Sequence, residues 1–180
     1  MIKKFTFLLV CIFLTGTMQL NSQSLPKQWE GKWVGTVEIW SYNVKKDAFP
    51  MTLEIIPNDS IWDYTIFYDK EYQGKKDIRK YQLIQVDEEQ FRFAIDEKNS
   101  IILDCYLIDN CMYDRFSGMG SDLHVRMCLV NEHEMEYEIT SYLNAPVRTS
   151  GGEVIKKDTI PEIQSFNLYH LMKAKLKKEE

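Results

Sequence analysis

The chain is short of histidine, having only His124, His133 and His170, and none of them falls in an H-x-H or H-E-x-x-H spacing. A zinc site draws several ligands from such spacings, so no metal motif is present. There is no G-x-S-x-G. Ser117-Gly118-Met119-Gly120-Ser121 reads as a strand corner. No cysteine has a histidine neighbour that would activate a thiolate, and no dinucleotide-type βαβ unit appears. These gaps leave no site for catalysis, and no catalytic residue, metal or cofactor is assigned.

Basic charge is also scarce. Lysine and arginine number 22 against 27 acidic residues, a net charge of −5. Nucleic-acid binding needs a basic footprint, so a polyanion partner is not expected. The apolar run from Phe5 to Leu14 is shorter than the ~20 residues that span a bilayer. With Lys3 and Lys4 before it and polar residues through Ser24 after it, the run reads as a secretory signal peptide of bacterial style. We therefore expect a leader over 1–23 and a secreted or periplasmic domain over 24–180. That domain keeps Cys105, Cys111 and Cys128, and three cysteines cannot all pair. A Cys105–Cys111 bridge across a hairpin is one reading. Three small apolar core residues is the other.

What the chain does have is strand. Gly31-Lys32-Trp33-Val34-Gly35-Thr36-Val37-Glu38-Ile39-Trp40 alternates with a period of two, which puts Trp33, Gly35, Val37 and Ile39 on one face. Glycines around a tryptophan fit a bend, or a place where another backbone comes close. Eight more strands follow: Pro50–Ile56, Ile61–Asp69, Ile78–Val86, Gln90–Ile95, Ile101–Ile108, Cys111–Phe116, Leu123–Val130 and Glu134–Tyr142. Asp109-Asn110 makes a two-residue turn between two of them. Short strands at ~8–12-residue spacing predict an all-β fold, an antiparallel up-and-down barrel of about 8–10 strands. Leu143–Pro161 reads as a long loop, a mouth loop or lid. Glu162–Lys178 reads as a final strand that pairs with the first and closes the sheet, with a helix lying on the barrel as the alternative.

Aromatic residues number 23, counted as Phe, Trp and Tyr. Trp33, Trp62, Phe91, Phe93, Tyr113 and Tyr137 read as inward residues that either fill the core or line a hollow interior able to hold a ligand. Trp40, Tyr64, Tyr68 and Tyr106 are candidate wall positions where a hydroxyl or indole N–H orients a ligand. Arg115 and Arg126, in otherwise apolar strands, are candidates to hold a ligand carboxylate from inside. Glu136 and Glu138 share one strand face and read as solvent-facing.

Gly31-x-Trp33 near the mature N-terminus resembles the G-x-W opening of lipocalins and the wider calycin group. That resemblance implies a barrel that binds a small apolar or amphipathic molecule, with a basic residue of the last strand packed across Trp33. The family uses arginine there, whereas this C-terminus offers Lys173, Lys175, Lys177 and Lys178. Gly31, Trp33 and Gly35 together with His170-Leu171, Ala174 and Leu176 are also similar to nitrobindin-like barrels, with the spacing after His170 differing by one residue. That second resemblance implies haem held through His170. The remaining alternative is a filled barrel acting by protein–protein contact, as an inhibitor or envelope-assembly factor.

Overall fold

The structure, a computed structural model, describes residues 25–180. The expected leader lies outside the described residues. A short 3-10 turn, Lys27–Trp29, precedes the strands β1 (Gly31–Ser41), β2 (Val44–Asn58), β3 (Ile61–Tyr72), β4 (Lys75–Asp87), β5 (Arg92–Asp96), β6 (Ile102–Ile108), β7 (Cys111–Gly118), β8 (Ser121–Asn131), β9 (Glu134–Ser150), β10 (Val154–Ile155), β11 (Asp158–Thr159) and β12 (Ile163–Lys178). All pairings are antiparallel, and ten strands close a barrel in the order β1-β12-β9-β8-β7-β6-β5-β4-β3-β2. The last strand closes on the first from Trp33↔Lys178 to Trp40↔Leu171. The expected closing strand is therefore present, and it leaves the barrel no free edge.

One end of the barrel is a packed floor. Trp33 donates its indole N–H to the carbonyl of Trp29 at 3.0 Å, which fixes the 3-10 turn beneath the strands. Trp29, Leu25, Ile55, Trp62, Leu83, Phe93, Met135 and Leu176 are buried around it. Lys178 Nζ stands 5.0 Å above the Trp33 ring and donates to the carbonyl of Gln28 at 3.0 Å. A lysine of the last strand thus takes the place that the family resemblance gave to a basic residue. At Gly35 an added Cβ would lie 2.3 Å from the carbonyl oxygen of Lys175. The strands approach there as closely as the glycine spacing implied.

The turns follow their chemistry. Tyr42 and Asn43 join β1 to β2 with φ of 46° and 64°, both positive as a type I′ hairpin requires. Asp109-Asn110 joins Ile108 to Cys111 as expected. Phe91 departs from expectation: its φ of 50° ends the alternation before β5 begins, and its ring is exposed rather than in the core. Tyr113 is exposed as well, because its neighbour Met112 takes the inward position of β7.

The larger correction concerns Leu143–Pro161. It is a ribbon, and the expected loop is absent. β9 continues through Ser150, which pairs with Ile163 of β12, and β10 pairs with β11 near the tip. Val147 and Thr149 favour extended backbone. Pro146 is tolerated because β8 leaves β9 at Leu143, so the missing N–H falls on an unpaired edge. Register irregularities at Phe166 and Leu168 bend and twist the ribbon.

The cysteines also differ from both readings. Cys111 and Cys128 are directly opposed on β7 and β8 and form a disulfide with a Cα separation of 4.1 Å. Cys105 is the free cysteine among the described residues and is buried. The residues Cys105 and Cys111 do lie on hairpin-linked strands, but Cys105 pairs with Asp114 and Cys111 pairs with Cys128.

Candidate ligand-binding site

Strand β3 carries the centre of the lumen. Its even-numbered residues Trp62, Tyr64, Ile66 and Tyr68 all point inward and are buried. The Tyr64 hydroxyl reaches Met127 Sδ on β8 at 3.3 Å. Two pleat repeats nearer the mouth, the Tyr68 hydroxyl meets the Tyr137 hydroxyl of β9 at 3.2 Å. In the strand order β8 and β9 stand on the far side from β3, so both contacts cross the lumen. Burial raises the pKa of Tyr64, Tyr68 and Tyr137, and all three are neutral hydroxyls at physiological pH.

Above these struts the inward side chains change character. Ile39, Phe49, Tyr81, Leu103, Val125, Ile139 and Met172 are only partly buried, and most pack on the core from above. The inward side chains grade from a fully buried floor through a tyrosine layer to a partly exposed apolar cup at the mouth end.

Arg79 supplies the cup's charge. Paired with Ile66 in register, it takes the inward face of β4, and its guanidinium carbon lies 5.0 Å over the Tyr68 ring. Nε and Nη2 donate to the two carboxylate oxygens of Asp77, each at 3.1 Å. Burial alone would lower its pKa, but the hydrogen bonds to Asp77 and the charge of that carboxylate raise it, so it stays a cation. The side chain is still 45 % exposed. It can be reached from the mouth, and its Nη1 donors are not used by Asp77.

Asp114 is a further inward ionisable group of this half. It stands opposite Cys105 and Val125, and its Oδ1 is buried without a hydrogen-bond partner. Burial pushes its pKa up to about 7, partly offset by the Val125 backbone N–H. Cys105 beside it is pushed up by burial and by the Asp114 charge, which leaves an unreactive thiol.

The six sequence candidates divide. Tyr64 and Tyr68 are in the lumen. Trp40, Tyr106, Arg115 and Arg126 are on the outer wall. Trp40 donates to Glu38 Oε2 at 3.0 Å with Lys173 Nζ 5.3 Å from its ring. Tyr106, Arg115 and Arg126 come together along an outer groove of about 610 Å³, but Arg115 and Arg126 already face Asp122 and Glu136 at 3.8 and 3.9 Å. The inward arginine is Arg79, which sequence reasoning missed. The signal was ambiguous: Asp77, Arg79, Tyr81 and Leu83 share one parity, but Ile78, Ile84 and Val86 make the other parity equally apolar, and the pairing of buried Trp62 with buried Leu83 is what sets the inward face. Glu136 and Glu138 lie along another outer groove, of about 620 Å³, with Arg126, Lys173 and Lys175. His170 is exposed near the mouth with its ring 4.6 Å from that of Tyr169.

Among the described residues no helix is long and apolar enough to cross a membrane. No protein-family model matches the sequence, and no curated protein shows a significant match to it.

Proposed function

We propose that this protein is a calycin-like binding protein for a small amphipathic molecule, whose apolar part lodges in the mouth half of the barrel. The observation that carries this is the gradient along the lumen, from the buried Trp33 floor to the partly exposed cup under Arg79. A few convergent polar groups in an apolar concavity are what small-molecule sites are made of. The Tyr64–Met127 and Tyr68–Tyr137 contacts limit the depth, so the ligand is short, and its head group accepts hydrogen bonds from Arg79 Nη1. The Cys111–Cys128 disulfide and the leader support export to an oxidising compartment, the periplasm or beyond.

Native mass spectrometry of the protein purified from its own envelope fraction tests the reading. A retained organic mass, displaced by anilinonaphthalene sulfonate, is the expected result. A clean unliganded mass with no uptake of that dye sinks it. The exposed apolar side chains of the ribbon, Val147, Val154 and Ile155 among them, favour a second reading, an interaction module acting by protein contact.

A further inference from the structure

Two inward acids of the barrel differ in what answers them. Asp77 has its cation, Arg79 Nη2 at 3.1 Å. Asp114, on the inward face of β7 between Cys105 and Val125, has none among the described residues, and its Oδ1 is buried without a hydrogen-bond partner. A buried polar atom left unpaired is costly, and each instance calls for a partner. The surroundings say which kind. Tyr64, facing the carboxylate from β3, lies close enough to feel its charge. The Tyr64 hydroxyl gives its hydrogen to Met127 Sδ at 3.3 Å, so its oxygen keeps lone pairs to accept with. Cys105, facing from β6, feels the same charge, and its sulfur is a weak acceptor. From β8 the Val125 backbone N–H already donates to the carboxylate. The corner therefore holds acceptors and no strong donor left over. A hydroxyl entering it would bring one donor and two acceptor lone pairs, whereas an ammonium brings three donors and no acceptor.

We infer that the small molecule held in the mouth half carries an amine, bound as an ammonium with one N–H on Asp114 Oδ1. This rests on the function proposed above and narrows its ligand to amphipathic amines that also present an acceptor to Arg79. The remaining ammonium donors have the Tyr64 oxygen and the Cys105 sulfur to turn to, and none of the groups facing Asp114 is a competing cation. Without a ligand the site meets the same demand by keeping a proton, since burial pushes the Asp114 pKa up to about 7. An ammonium beside the carboxylate favours its charged form. Binding just below neutral pH therefore drives that proton out to solvent.

Calorimetric titration with linear carboxylates of six, eight and ten carbons, each compared with its ω-amino counterpart, tests the inference. The acceptor offered to Arg79 is the same in both members of a pair, so the comparison isolates the amine. At one or more of these lengths the amino acid is expected to bind at least about tenfold more tightly than the plain acid. In D114N that preference falls to within about twofold. At about pH 6.5, in two buffers of different ionisation enthalpy, the preferred amino acid is expected to release a fraction of a proton, and D114N to release none. Plain acids that bind with no gain from the amine at any length overturn this inference and leave the lumen reading standing, which is the result a resident water on Oδ1 would give. A gain that survives in D114N also overturns it, by placing the amine elsewhere. No saturable binding of any probe overturns the lumen reading and this inference with it.

Discussion

The hydroxyls of Tyr68 and Tyr137 meet at 3.2 Å across the lumen, and this contact marks where the packed barrel ends and the cup begins. Both groups are buried, so each depends on the other for its hydrogen bond. Removing one hydroxyl strands the other at a cost of about 1–3 kcal/mol, while removing both is far less harmful. Y68F and Y137F are each expected to lower stability in urea unfolding, and the double variant to recover much of the loss. Additive losses would show that the hydroxyls are satisfied separately.

Asp114 makes stability pH-dependent. Its folded pKa of about 7 lies above the ordinary 3.8, so between those values the folded chain holds a proton that the unfolded chain has released. Stability therefore falls as pH rises through that window and levels off above it. At 1.36 kcal/mol per unit the loss is at most about 4 kcal/mol, less for a group that is only partly buried. D114N is expected to flatten the profile and to be more stable than the unmodified protein at pH 8. Thermal unfolding across this range checks both points.

Much of the architecture was legible because it rests on alternation and turn chemistry, which are local. The strand from Gly31 to Trp40, the turn at Asp109-Asn110 and the closing strand all follow from such signals. The ribbon was not legible: Pro146 reads as a loop residue until one knows that the β9 edge is unpaired there, and Gly151-Gly152, which do lie between strands, extend that loop reading over their strand neighbours. Facing was the weaker part of the site reading. Arg115 and Arg126 lie beside Asp114 and Val125, and it is those neighbours that point inward. Arg79 sits between Ile78 and Lys80 on a strand whose two parities are both partly apolar, so alternation alone does not say which one faces inward.

The cysteine arrangement predicts a thiol count. In protein lacking residues 1–23, native alkylation is expected to label no cysteine, since Cys105 is buried and Cys111 is bonded to Cys128. Denaturation without reductant releases one thiol, and with reductant three. Two thiols or more labelled in the native state would contradict the pairing.

Lys178 contributes to the floor through Trp33 and the Gln28 carbonyl. K178A is expected to cost about 1–2 kcal/mol and K178R much less, measured by denaturant midpoint. Equal losses in the two would show that the cation is not what matters.

The central claim is that a short amphipathic molecule enters the mouth half of the lumen. Amide and side-chain chemical-shift mapping during titration with decanoate tests it most directly. The account predicts saturable shifts at Ile39, Phe49, Arg79, Leu103, Val125 and Ile139, little change at Trp33 or Trp62, and at least about tenfold weaker binding in R79M. Shifts confined to the outer wall around Tyr106 and Arg126, or no saturable shifts at all, would contradict it.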